Sequence, residues 1–168
     1  MARTALHGET VMTSGDLPPT GSEAPGFQLT GKDLQEVTLS ELRGNKLLMN
    51  VFPSLDTPVC AMSVRRFNSE AAGLPGVKVL CISADLPFAH ARFCETEGIE
   101  NVINLSCFRS GDFGADYGLE ILDGPLRGLL ARAVLIVDAA GRVVYSQLVP
   151  EISQEPDYED ALTFLRKV

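Results

Sequence analysis

The widest chemistry in this chain belongs to four cysteines, Cys60, Cys81, Cys94 and Cys107. One of them has a telling position. Within Asn50 to Phe67, reading NVFPSLDTPVCAMSVRRF, the apolar run Leu47 to Phe52 predicts a short buried strand. Pro53 and Pro58 then bracket a turn, and Thr57 stands just before a helical pattern. Thr57 is a good N-cap, and Pro58 suits the first helical position, where its missing N–H would have had no partner. Cys60 therefore falls in the first turn, near free backbone N–H groups and the positive end of the helix dipole. A thiol in such a place ionises more readily, and the thiolate is the nucleophile. On these grounds alone a packed core cysteine is still the commoner outcome, so Cys60 is a candidate reactive cysteine.

The remaining spacing excludes other cysteine chemistry. The chain has no C-x-x-C pair, which weakens both a structural zinc site and a thioredoxin-type dithiol. His7 and His90 lie far apart; His7 is expected in a turn and His90 on a solvated helix face, and neither makes a metal spacing with the cysteines. No metal and no cofactor is expected.

The bulk composition narrows the setting. With 168 residues, one domain spanning 1–168 is expected. Hydrophobic content of 45% and charged content of 21% suit a soluble globular protein. The net charge of −8 offers no basic stripe for phosphates, which argues against nucleic acid or an anionic membrane surface as partner. The first residues lack the apolar core of a signal peptide, and no apolar run is long enough to span a bilayer. A cytoplasmic setting is the resulting expectation.

The elements that must position Cys60 read as follows. Thr4 to Met12 alternates around His7-Gly8-Glu9, predicting an N-terminal β-hairpin. Ser14 to Pro25 reads as an extended connection, followed by short strands at 27–30 and 36–39 and a single helical turn at Ser40 to Gly44. After Cys60, Val64, Phe67, Ala71 and Leu74 mark a core-facing helical stripe, ended by Gly73 and Pro75-Gly76. Val77 to Ser83 is apolar enough to be a strand buried on both faces, with Cys81 packed inside it. Asp85 to Gly98 predicts a helix capped by Asp85, with Phe88, Ala91 and Cys94 on its apolar side. A strand at Val102 to Leu105, a short helix at Asp112 to Tyr117, a hairpin of Ala133 to Val137 with Val143 to Leu148, and a helix carrying Tyr158, Leu162 and Leu165 complete the chain. This order is thioredoxin-like: an α/β fold with a central mixed β-sheet flanked by helices.

Two strings carry a family resemblance. Pro53-x-x-x-Thr57-x-x-Cys60 resembles the peroxidatic motif of peroxiredoxins, and the longer run from Phe52 to Cys60 is similar to that of their thiol peroxidase (Tpx) subfamily. The resemblance extends from the Gly15 region to the last helix and includes Cys81 to Ala89 and Ser146 to Val149. Pro58 departs from it, standing where the family often has glycine, and Cys107 lies outside the usual cysteine pair.

The resemblance implies that Cys60 attacks a hydroperoxide and becomes sulfenic acid. Thr57 would orient the peroxide beside the sulfur, and Pro53 would shield the pocket; without the family, Pro53 reads as a strand terminator. Holding a thiol ionised at neutral pH asks for roughly 3 kcal/mol of preference for the anion, more than an exposed helix start provides. Leu130-Ala131-Arg132-Ala133-Val134 resembles the subfamily's strand start whose arginine reaches the cysteine, which nominates Arg132; without the family an arginine at a strand edge reads as solvated, and Arg65 and Arg66 are alternatives near in sequence. For resolution of the sulfenic acid the residues alone leave Cys81, Cys94 and Cys107 competing, with Cys94 favoured as the most exposed. The resemblance assigns Cys94, and implies an atypical two-cysteine enzyme that forms a disulfide within one chain, is reduced by thioredoxin and is a homodimer. A non-enzymatic redox sensor or thioredoxin-fold binding module is the alternative from another class.

Overall fold

The structure is a computed structural model and describes residues 2–168. An N-terminal hairpin pairs β1 (Arg3–Leu6) with β2 (Glu9–Met12) in the register Leu6↔Glu9. His7 and Gly8, at φ 51° and 85°, form its two-residue turn, whose left-handed conformation matches the twist of the strands. Then come β3 (Gln28–Gly31), β4 (Glu36–Thr38), a 3-10 turn (Leu39–Leu42), β5 (Lys46–Val51), α1 (Pro58–Glu70) and β6 (Val77–Ser83). The chain continues through α2 (Pro87–Glu97), β7 (Val102–Ser106), α3 (Asp112–Asp116), β8 (Ala133–Val137), β9 (Val143–Leu148) and α4 (Tyr158–Lys167).

Seven strands form one mixed sheet in the order β4-β3-β7-β6-β5-β8-β9. The centre, β7-β6-β5, is parallel; β3 and β8 join it antiparallel on either side. Strand alternation sends successive residues to opposite faces. Leu47, Met49 and Val51 of β5, with Leu80 and Ile82 of β6, face a core closed by the 3-10 turn, α3 and the loop before β8. Leu48, Val79 and Cys81 face a second core under α1, α2 and α4. The expected α/β architecture is therefore present, and both Cys60 and Cys94 lie on the second face.

Three expectations about α2 need correction. Asp85 does not cap it; Leu86 occupies the cap position, and the Asp85 carboxylate accepts from Ser54 Oγ (2.7 Å) and Leu55 N (2.8 Å) instead. The inward stripe is Pro87, His90 and Cys94, while Phe88 is 65% exposed. His90, expected in solvent, is buried because Ser83 and Asn104 both offer its ring a polar partner.

The hairpin is not an appendage. Thr4 Oγ1 donates to Val149 O (2.8 Å), Ile152 N donates to Ala5 O (2.7 Å), and the Glu151 carboxylate accepts from His7 N and Gly8 N at 2.8 and 3.1 Å. The N–H of Gly8, then the Ser153 hydroxyl and the His7 and Ser153 N–H groups, hold the Glu151 carboxyl down from its ordinary 4.5 to about 2. A carboxyl depressed on folding stabilises the docked hairpin fully above its unfolded value, and the contribution fades as pH falls through the folded one. The His7 and Gly8 amide resonances should therefore titrate with a midpoint near 2 in the native protein and lose that titration in Glu151→Gln. A midpoint near 4.5 would show that the turn is not bound by Glu151.

Candidate active site

The site is assembled where β5 hands over to α1. Phe52 and Pro53 are buried at the strand's end, and residues 53–57 turn sharply. Thr57 N and Thr57 Oγ1 both donate to Ser54 O, at 3.3 and 2.9 Å, and Asp56 N donates to Ser54 Oγ at 3.1 Å. Thr57 has the extended backbone of an N-cap and Pro58 follows as the first helical residue, as the sequence predicts. The Thr57 hydroxyl does not cap the helix, so N–H groups at the helix start keep no side-chain partner from it.

Cys60 is the third residue of α1 and is fully buried. Its carbonyl accepts from Ser63 Oγ (2.8 Å), and Ser63 Oγ accepts from Asn50 Nδ2 (3.1 Å) on β5. That chain fixes the first turns of α1 to the centre of the sheet. From the start of β8, Arg132 reaches in and donates from Nη2 to Cys60 Sγ at 3.2 Å. Its Nε donates to Ile152 O at 2.8 Å, and Nη1 is buried with no partner among the described residues. Arg132 is 2% exposed, the opposite of the solvated strand-edge residue that its sequence context suggests. Arg132 thus sets a buried guanidinium N–H directly on the sulfur, a donor of the kind that makes charge-assisted hydrogen bonds. Arg65 and Arg66 drop out as alternatives: Arg65 pairs with Glu97 and Arg66 with Glu70 and Glu159, all at the surface.

Cys94 lies on α2, and Asn104 Nδ2 on β7 donates to its sulfur at 3.0 Å. Gly98, at φ 67°, ends the helix one turn later, and its N–H and that of Ile99 bond the Cys94 carbonyl. Cys94 is buried, not the most exposed of the spare cysteines; Cys107 is. Cys94 belongs to the core that also holds Ile99 and borders Phe93, whereas Cys107, just after β7, packs only at the margin of the other core. Burial pushes the Cys94 thiol up, with the Asn104 hydrogen bond and the Lys32 charge opposing. Burial drives Cys81 up much further and sets Cys107 at about 11, so these two are poor nucleophiles at neutral pH. All four cysteines are free thiols. Among the described residues no three of His, Cys, Asp or Glu gather as a metal would require.

The sequence reading missed the residues that hold this machinery in place. Asn50, Cys81 and Asn104 are in register across β5, β6 and β7, a buried row beneath both helices. Their signal was available: an asparagine inside each of two apolar strand runs, where an unpaired amide would be costly. Asp85 and Ser54, which pin the turn before Cys60, left no pattern in local sequence because their partners lie on different elements.

The fold and this cysteine–arginine pair define a thioredoxin-like peroxidase class, and comparison with known proteins agrees. The Redoxin family model matches residues 19–162. The chain is 54% identical over 165 residues to a thiol peroxidase of Mycobacterium tuberculosis, covering 98% of this chain and 99% of that one. A thiol peroxidase of Corynebacterium glutamicum is 53% identical over the same coverage. A solved peroxiredoxin-like protein from Aquifex aeolicus superposes with a TM-score of 0.94 at 41% identity, covering 99% of this chain and 97% of that one. The chain belongs to the redoxin family, as an enzyme of the thiol peroxidase branch of peroxiredoxins.

Replacing Arg132 by Met should keep the fold but slow alkylation of Cys60 at neutral pH by about tenfold or more, the scale of a lost hydrogen bond to a charged group. Iodoacetamide kinetics with mass-spectrometric assignment of the labelled cysteine measure this. An unchanged rate would mean that the arginine contact does not activate the sulfur.

Proposed function

We propose that the protein reduces hydrogen peroxide and organic hydroperoxides through Cys60. The contact that carries this reading is Arg132 Nη2 to Cys60 Sγ at 3.2 Å, at the start of a helix. The Cys60 thiolate attacks the terminal peroxide oxygen: an S–O bond forms, the O–O bond breaks, and two electrons pass from sulfur to the leaving alkoxide or hydroxide. First-turn N–H groups and the Thr57 hydroxyl, swung from Ser54 O, orient the peroxide and stabilise developing charge. Pro53, buried beside this turn, shields the sulfur from water.

Cys94 then resolves the sulfenic acid as an intramolecular disulfide, and thioredoxin reduces it. A disulfide needs Cα atoms about 4.4–6.8 Å apart. Each thiol has its own anchor, Arg132 for Cys60 and Asn104 for Cys94. Bond formation therefore releases at least one of them, by local unwinding of the first turn of α1 or of α2. The working form is a homodimer in the cytoplasm; no helix of the described residues is long and apolar enough to cross a membrane.

Peroxide consumption with thioredoxin and its reductase tests this. Cys60→Ser should be inactive, Cys94→Ser should be oxidised once per chain without turning over, and Cys81→Ser should change stability more than turnover. Full turnover by Cys94→Ser would give resolution to another cysteine. A native protein that is oxidised once and stops would be a sensor, not a peroxidase recycled by thioredoxin.

A further inference from the structure

A buried hydrogen-bonded chain runs from Cys94 to the turn before Cys60. Asn104 Nδ2 donates to Cys94 Sγ (3.0 Å), and Asn104 Oδ1 meets His90 Nδ1 (3.3 Å). His90 Nε2 meets Ser83 Oγ (3.0 Å), and Ser83 Oγ donates to Asp85 Oδ2 (2.6 Å). Asp85 in turn accepts from Ser54 Oγ and Leu55 N.

Counting hydrogens along this chain ties the state of His90 to the orientation of the Asn104 amide. Ser83 has one hydrogen, and at 2.6 Å the Asp85 carboxylate takes it. Ser83 Oγ can then only accept from His90, so Nε2 carries a proton. On the other side of the ring, the Asn104 oxygen can only accept, so Nδ1 must carry one as well. The arrangement is that of an imidazolium. In a neutral ring with the proton on Nε2, Asn104 must turn over, giving its NH₂ to Nδ1 and its oxygen to a Cys94 S–H.

Two matched states follow: protonated His90 with an Asn104 N–H on a Cys94 thiolate, and neutral His90 with the Asn104 oxygen on a Cys94 thiol. Burial resists either charge alone, pushing Cys94 up and His90 down. The pair keeps the site's charge the same in both states, so the two ionise together. The other charged groups bearing on them are Asp85 beside His90 and Lys32 near Cys94, with Cys81 as the neighbouring thiol.

We propose that Asn104 and His90 form a proton-coupled clamp on the resolving thiol: Asn104 donates to the Cys94 sulfur, and a proton on His90 holds the amide in that orientation. This rests on Cys94 as the resolving cysteine. The proton leaving Cys94 is balanced by the one gained at His90 Nδ1. The thiolate then attacks Cys60 Sγ; the S–S bond forms, the S–O bond breaks, and hydroxide leaves, taking up the His90 proton as water. The Cys94 sulfur is oxidised and the Cys60 sulfur reduced. Asn104 touches the reacting sulfur, whereas His90 acts through it and is a positioning residue.

Single-turnover kinetics with one equivalent of hydrogen peroxide separate sulfenic acid formation from disulfide formation. In the native protein the second step should be nearly flat with pH across the neutral range, because the internal proton exchange involves no solvent proton. His90→Gln can still hold the Asn104 oxygen but has no proton to gain, so its second step should rise about tenfold per pH unit, like an ordinary thiol. Asn104→Ala should slow that step about tenfold or more at neutral pH. A flat profile in His90→Gln overturns the coupling, and a native rate in Asn104→Ala overturns the clamp. Should Asn104→Ala fail to fold, His90→Gln carries the test. Thiolate absorbance of Cys94 in the Cys60→Ser background distinguishes this claim from the assignment of resolution. If the native protein forms no Cys60–Cys94 disulfide but Asn104→Ala still lowers that thiolate signal, the assignment fails and the clamp stands; an unaltered signal overturns the clamp.

Discussion

A guanidinium buried to 2% exposure, with a cysteine sulfur as its only side-chain partner among the described residues, is the constraint around which this molecule is arranged. Burying a cation costs several kcal/mol even after relaxation, unless charge and hydrogen bonds offset it. No carboxylate reaches Arg132 among the described ion pairs; Ile152 O and Cys60 Sγ do. A thiolate on Cys60, the form the proposed nucleophile needs, would supply the negative charge that balances the arginine. Both partners are held from behind. Asn50 and Ser63 fix the helix that presents Cys60, and the N-terminal hairpin fixes the Val149–Ile152 segment whose carbonyl receives Arg132. A hairpin distant in sequence from Cys60 is therefore two contacts from its arginine.

The second organising feature is the polar row Asn50–Cys81–Asn104 across the three parallel strands. Buried amides are tolerated only when their partners are in place. Here Asn50 Nδ2 is met by Ser63 on the Cys60 helix and Asn104 Nδ2 by Cys94 itself, while Asn50 Oδ1 has no partner among the described residues. On this face Asn104 holds the Cys94 sulfur, Asn50 holds the Cys60 helix through Ser63, and burial keeps Cys81, in register between the two asparagines, protonated. Asp85 links the two halves, since it binds the turn before Cys60 and, through Ser83, the ring of His90.

The strand and helix pattern was legible because it depends on local periodicity: β6, β8, β9 and the hairpin fall where alternation and apolar runs place them. The start of α1 was legible from Thr57 and Pro58 alone. What failed was the environment of polar residues. His90 reads as a surface residue until Ser83 and Asn104, from two other strands, supply its partners. Arg132 reads as solvated until α1 brings a sulfur to it, 72 residues away in sequence. Asp85 looks like a helix cap because its local context is that of a cap; its real partners come from the turn after β5. Composition and spacing name the residues able to do chemistry, while their burial is set by contacts that only the fold creates.

The central claim is that the buried charge of Arg132 is matched by a negative charge on Cys60 in the reduced, folded protein. Difference ultraviolet absorbance between native protein and Cys60→Ser at neutral pH counts that charge directly. The account predicts one thiolate per chain in native protein, lost with Cys60. A native protein whose thiolate absorbance equals that of Cys60→Ser would leave Arg132 buried without an anion, and would contradict the account.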